Sequence, residues 1–253
     1  MKITFLGTGT SQGVPVITCS CPVCTSTDFR DQRTRCSILI KTDSQNVVID
    51  IGPDFRHQML RERIKRIDAI ILTHEHRDHT AGLDDVRPFN FAHKMDMPIY
   101  ARPSVCAQLK REYEYIFKIN PYPGAPRVIL NPIENKPFTI NKDLFTPIEG
   151  IHYKLPVYGY RIENFSYITD MNKISDDELK KMEGSDIIVI NALQKEDHMS
   201  HFTLSEALKL INQLQPKKAF LTHMSHRMGL HAEIETELPE NVYLAYDGLT
   251  IEC

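Results

Sequence analysis

Short, near-continuous apolar runs such as Ile187-Ile188-Val189-Ile190 constrain this chain most. A run of that length, rich in β-branched residues, suits a strand buried on both faces. The pattern recurs at Lys2–Leu6, Cys36–Lys41, Asn46–Ile51, Ala69–Thr73, Ile99–Ala101, Phe165–Thr169, Asp186–Asn191, Lys218–Thr222 and Val242–Tyr246. Helical patterns lie between these strands. Asp54–Arg66 places Phe55, Met59 and Ile64 on one face, and Ser104–Lys118 offers Ser104 as N-cap with a stripe of Leu109, Tyr113 and Ile116. Phe202–Gln215 opens with the capping-box pair Thr203 and Glu206 and stops before Pro216. Residues 119–137, rich in Pro and Asn, read as a loop. Strand followed by helix throughout argues for an α/β class with helix-covered sheets.

In such folds ligands gather beyond the C-terminal ends of strands, and there this chain concentrates its chemistry. The apolar run Ile70-Ile71-Leu72 leads into Thr73-His74-Glu75-His76-Arg77-Asp78-His79. Three imidazoles and a carboxylate in H-x-H-x-D-H exceed what one ion needs from one segment. His74 and His76 alternate along an extended backbone and point the same way. Asp78 and His79 fall where the chain turns into a helix and can aim at a second point nearby, so the spacing suggests two adjacent ions. Asp170 and His223 also follow strands, and His152 sits in a loop ahead of the apolar Leu155–Tyr160. Taken singly, each of those three could equally be a cap or a hydrogen-bonded core residue.

The 253 residues carry a net charge of −3, so no global field draws in nucleic acid. The apolar start is too short for a signal peptide, and no run approaches the roughly 20 apolar residues of a membrane span. The expectation is a cytoplasmic protein without a membrane partner. Three of the six cysteines crowd at Cys19, Cys21 and Cys24, a spacing that favours metal binding over a disulfide framework. A reactive thiol cluster is the alternative. Cys36, Cys106 and Cys253 are scattered and read as buried small hydrophobes or, for Cys253, a frayed end.

The motif His74-x-His76-x-Asp78-His79, followed by the distant His152, Asp170 and His223, resembles the metallo-β-lactamase superfamily over the whole chain. That resemblance implies an αββα four-layer sandwich, residues 1–253 as one domain, and a dinuclear centre on one rim. It assigns His74, His76 and His152 to a first ion, Asp78, His79 and His223 to a second, and Asp170 to a bridge between them. Asp50, in Val48-Ile49-Asp50-Ile51-Gly52, matches the D-x-G turn and would orient ligands from beneath. The trio Cys19, Cys21 and Cys24, with His226, resembles the structural zinc site of the phosphoribosyl cyclic phosphodiesterases of the carbon–phosphorus lyase pathway and their relatives; three thiolates and one imidazole would close a tetrahedral site. His201, in His198-Met199-Ser200-His201, falls where those enzymes place a histidine near the substrate phosphate.

The function so implied is a metal-dependent hydrolase, a phosphodiesterase acting on a small phosphate ester, cyclic or open, through a metal-bound hydroxide. Its cofactors would be two divalent ions, Zn²⁺ or Mn²⁺ with Fe²⁺ also compatible, and one structural Zn²⁺. His201, as proton donor, and Asp78 are the catalytic candidates. A tRNA 3′-end-processing type of endonuclease shares the motif, but the negative charge and the lack of a basic insertion disfavour a nucleic-acid partner. Thioester or lactone hydrolysis is a third reading, a non-catalytic zinc-binding module a fourth, and a homodimer stays open. Loops 80–95, 119–137 and 152–160 are the expected pocket walls, and whether any of Arg87, Arg102, Arg127 and Tyr158 contacts a phosphate is left open. Arg61, Arg63, Lys65 and Arg66 read as a solvated helix face. His57, His93, His198 and His231 receive no role.

Overall fold

A computed structural model describes residues 1–253. Its strands are β1 (Lys2–Gly7), β2 (Ser37–Lys41), β3 (Asn46–Ile49), β4 (Ala69–Ile71), β5 (Met97–Ala101), β6 (Val128–Pro132), β7 (Phe138–Ile140), β8 (Asp143–His152), β9 (Leu155–Ile162), β10 (Phe165–Tyr167), β11 (Lys173–Ile174), β12 (Ile187–Asn191), β13 (Lys218–Thr222), β14 (Val242–Leu244) and β15 (Thr250–Glu252). One sheet runs β15-β1-β2-β3-β4-β5-β6. The other runs β11-β8-β9-β10-β12-β13-β14, with β7 paired to β8.

Alternation along each strand sorts the side chains into layers. Ile38 and Ile40 of β2, Val47 and Ile49 of β3, Ile187 and Val189 of β12 and Phe220 of β13 share one buried cluster between the sheets. The intervening Leu39 and Val48 face a second cluster with Phe55, Met59, Val105 and Leu109, which belong to helices Phe55–Arg61 and Pro103–Glu112. Ile188, Ile190 and Leu221 face a third cluster, where helix Leu204–Leu214 contributes Ala207 and Ile211. Three apolar interfaces in sequence make four layers, helix, sheet, sheet and helix. The apolar runs are therefore buried on both faces because each central strand has a layer on either side.

Several local readings shift. Thr203 and Glu206 do form the capping box. The helix after Asp54 ends at Arg61, because Arg63 turns with φ +53° and Ile64 N–H bonds back to Met59 O. The helix expected at Ser104 starts one residue earlier, with Pro103 in its first turn, and gives way at Tyr113 to a 3₁₀ turn. Pro at the first helical position loses no hydrogen bond, which makes it the natural start. Part of the 119–137 loop is strand β6. His152 is the last residue of β8, not a loop residue. Arg61 is not solvated: it donates to Leu6 O and to Asp247, tying helix Phe55–Arg61 to the β14–β15 connection.

Candidate metal centre and cleft

The ends of β3, β4, β8, β10 and β13 meet on one rim, and the seven expected ligands meet there. Ligand atoms of His74, His76 and His152 lie within 4.8 Å of one another, as do those of Asp78, His79 and His223. Asp170 lies between: its Oδ2 is 2.8 Å from His79 Nε2, and its Oδ1 is 2.9 Å from His223 Nε2. It also groups with His74 and His79. These contacts are short but misaligned for hydrogen bonds, so the buried Nε2 atoms of His74, His79 and His223 have no hydrogen-bond partner. Three convergent, unpartnered imidazole nitrogens around a carboxylate are what a divalent ion would satisfy. The donor set fits two such ions.

The Nδ1 atoms of His74, His79 and His152 are anchored, whereas His223 Nδ1 has no partner. Asp50 is fully buried and accepts from His79 Nδ1 at 2.6 Å, from Thr73 N–H at 2.9 Å and from the Thr73 hydroxyl at 2.9 Å. Thr73 Oγ1 also lies 3.0 Å from His74 Nδ1. His152 Nδ1 donates to Ser200 O at 2.8 Å. Each anchor leaves Nε2 free for the rim. Burial disfavours a charge on His79, but the carboxylates of Asp170, Asp50 and Asp78 outweigh it and hold that imidazole well above its usual pKa. Burial likewise opposes ionisation of Asp170, yet His223 and His79 keep it well below the usual carboxylate range. Asp78 is lowered in the same way, His79 overcoming burial.

Asp50, Asp170 and His223 all adopt left-handed backbone conformations, with φ of +65°, +55° and +56°. Asp, Asn and His tolerate this region better than other non-glycine residues. Each thus turns sharply at the end of its strand and presents its side chain to the rim. Gly52 serves the same corner through space: a Cβ there would overlap the Asp78 carbonyl oxygen.

Cys19, Cys21, Cys24 and His226 form a separate cluster, with His226 Nδ1 at 3.3, 3.4 and 3.5 Å from the three sulfurs. The Cys24 backbone N–H, which outweighs burial, and His226 lower Cys21 to about 6. This donor set fits one tetrahedral Zn²⁺. It pins the loop after Val14 to the segment following His223.

The cleft above the rim has two lobes. The first, about 390 Å³, is lined by Thr10, Ser11, Gln12, Gln194, His198, His201 and Arg227 among others, with no carboxylate. Arg227 is exposed and its guanidinium makes no ion pair or hydrogen bond. The second, about 430 Å³, is lined by His76, His152, Tyr153, Lys154, Leu155, Met199 and Ser200. His201 separates the first lobe from the centre: its Nε2 lies 2.8 Å from Asp170 Oδ1 and its Nδ1 2.9 Å from Ser200 Oγ. Burial, against the pull of Asp170, brings His201 down to about 4. It also groups with His152 and Asp170 as a ligand set, a proximity its sequence position did not reveal.

Of the three expected walls, 152–160 lines the second lobe through residues 152–155. Loops 80–95 and 119–137 line neither lobe. Arg102 pairs with Glu149 at 2.6 Å and stacks on Tyr158, Arg127 pairs with Asp96 and Arg87 donates to Asp84 O. Arg102 and Arg127 are thus paired with protein carboxylates, whereas Arg87 is exposed and has no ion pair. Tyr153 and Lys154 lie in the expected 152–160 wall, whereas Arg227 and Met199 were not foreseen. Arg227 alone had a signal, its place beside His226. His198 contacts His201, His93 bonds to Lys65 O, and His231 is buried beside Glu235.

With the fold and rim described, the comparisons place the chain. Residues 45–224 match the family model of the β-lactamase superfamily domain, and the chain belongs to that family. A crystal structure of a diphosphatase from the PhnP family is 38% identical, with a TM-score of 0.93, covering 100% of this chain and 97% of that one. Zn²⁺-bound PqqB from Methylobacterium extorquens shares the fold at 18% identity and a TM-score of 0.82, with 100% of both chains covered. An octanoyltransferase of Porphyromonas gingivalis is 38% identical over 98% of this chain. The chain spans 51% of that protein's length, and half or less of the curated relatives it matches first. No helix is long and apolar enough to cross a membrane.

Proposed function

We propose that residues 1–253 act as one metallo-β-lactamase-like domain and hydrolyse a small phosphodiester at a dinuclear centre. The observation that carries this reading is a pair of three-residue ligand clusters with Asp170 between them, and beyond His201 a lobe with an unpaired Arg227 and no carboxylate. His74, His76 and His152 would hold one ion, Asp78, His79 and His223 the other. When bound, two divalent ions supply charge stabilisation for an anionic transition state and make water acidic enough to attack near neutral pH. Asp50 keeps the His79 proton on Nδ1. Ser200 O does the same for His152, and so both rings meet the rim through Nε2. Arg227 supplies positive charge on the side of the first lobe. His201, whose Nε2 lies 2.8 Å from Asp170 Oδ1, is the candidate proton donor to the departing oxygen, a role that requires its protonated form. Asp78, which His79 holds below the usual carboxylate range, completes the second cluster. The Cys19, Cys21, Cys24 and His226 cluster holds a structural Zn²⁺ that fixes the wall carrying Arg227.

The similarity to a PhnP-family diphosphatase supports phosphate-ester chemistry. The octanoyltransferase name belongs to a protein about twice as long, and no cysteine lines either lobe to carry an acyl group. The test is metal analysis of the purified protein with turnover on bis(4-nitrophenyl) phosphate, 2′,3′-cyclic AMP, an aryl thioester, a lactone and a tRNA precursor. Hydrolysis of the phosphodiesters supports the proposal. Turnover confined to the thioester, the lactone or the tRNA would overturn it.

A further inference from the structure

The second lobe places exposed apolar side chains beside the rim. Tyr153 is 51% exposed and Met199 70% exposed, two large apolar side chains turned to solvent beside the polar rim. Tyr153 also sits at φ +57°, a conformation that costs an aromatic residue backbone strain and that glycine would adopt freely. Asn172 holds both walls: its Oδ1 accepts from Tyr153 N–H at 2.9 Å, and its Nδ2 donates to Met199 O at 2.9 Å. Asn172 is itself tied by its N–H to Ile151 O at 2.9 Å. The Lys154 ammonium lies 5.2 Å from the Tyr153 ring centroid, placing a cation on this platform. The lobe reaches His76 and His152, so whatever occupies it is joined directly to the reacting centre.

An exposed aromatic ring, an adaptable thioether and a cation, clamped by one amide, suit a flat heteroaromatic group. Bases stack on aromatic side chains, and methionine sulfur makes favourable contacts with rings. We infer that this lobe is a stacking subsite for a nucleobase carried by a mononucleotide-type ester, with Tyr153 as platform, Met199 as a further apolar contact and Asn172 as the positioning residue. The inference rests on the phosphodiesterase reading and narrows its substrate to esters bearing a base.

The experiment uses the metal-loaded full chain. Turnover of 2′,3′-cyclic AMP is compared with that of base-free glycerol 1,2-cyclic phosphate. Binding of adenosine 3′-monophosphate is compared with that of glycerol phosphate by calorimetry, and metal content is measured alongside. The base should raise kcat/KM about tenfold or more. Tyr153→Ala should collapse that ratio toward one, mainly through KM, while Tyr153→Phe keeps it. Asn172→Ala should reduce the ratio without loss of metal. Equal kcat/KM for the two esters in the wild type, or an unchanged ratio in Tyr153→Ala, would overturn the subsite. If no phosphate ester is cleaved, yet adenosine monophosphate binds more tightly than glycerol phosphate and Tyr153→Ala removes the difference, the subsite stands and the phosphodiesterase reading falls.

Discussion

Asp50→Asn is the sharpest test of how this rim is organised. Asp50 and His79 are fully buried and 2.6 Å apart, and Asp50 also receives both polar groups of Thr73. The amide oxygen of an asparagine can keep the Thr73 N–H, and the Thr73 hydroxyl can rotate to accept. The amide nitrogen, however, would then face His79 Nδ1 with a donor. His79 must respond by moving its proton to Nε2, the nitrogen aimed at Asp78 and Asp170, and a protonated nitrogen cannot bind a metal. Loss of such an orienting partner weakens a metal site by about 10–100-fold, or about 1.4–2.8 kcal/mol. A hydrogen bond to a charged group is independently worth about 1.5–3 kcal/mol, so the two routes agree. Chelator competition at pH 7 should show one ion per chain, that of the Asp78, His79 and His223 cluster, released at correspondingly lower chelator concentration. Circular dichroism should report an intact fold. Unchanged affinity for every ion would refute the argument that Asp50 sets the His79 tautomer.

Other expectations follow from the same geometry. His201→Ala should lower turnover by about 10²–10⁴-fold, the range for a lost proton donor, with metal content unchanged by elemental analysis; loss of an ion would make His201 a ligand. Cys24→Ser should remove one Zn²⁺ per chain, lower the melting temperature and reduce turnover, because the Arg227 wall loses its tether to the Cys19–Cys24 loop. Gly52→Ala forces a methyl against the Asp78 carbonyl and should cost about 1–3 kcal/mol in a denaturation experiment, with loss of metal from the second cluster. Cys36, whose thiol burial pushes up to about 11, should resist iodoacetamide at pH 8 in the native protein and react on denaturation, as mass spectrometry would show.

Much of this was legible because it is local. H-x-H-x-D-H packs four rim residues into one strand-to-helix turn, and Cys19-x-Cys21-x-x-Cys24 packs three thiols into one loop. The layers were legible because the period of two in Ile187-Ile188-Val189-Ile190 divides its side chains between two apolar clusters. Strand β8 was not, since Pro147, Glu149 and Gly150 interrupt any apolar pattern; Pro147 nevertheless pairs in register with Tyr160. The cleft was the least legible part. Its walls come from residues 10–12, 152–155, 193–201 and 225–227, brought together by sheet order, and no local rule pairs Tyr153 with Met199. Their common partner, Asn172, is an ordinary loop residue in the sequence. Its importance comes wholly from what its amide reaches.

The left-handed turns at Asp50, Asp170 and His223 also limit how this centre could change its metal preference. At those three positions the backbone selects the residue before coordination chemistry does: Asp, Asn, His and Gly fit, whereas Cys and Glu incur strain of about 1 kcal/mol or more. A softer centre cannot be reached by placing a thiolate at the bridge or at His223 without that penalty. His74, His76, His152, Asp78 and His79 carry no such conformation. Retuning the proposed centre toward another ion would therefore meet no such strain on the motif strand or at the end of β8, and about 1 kcal/mol or more at the bridge.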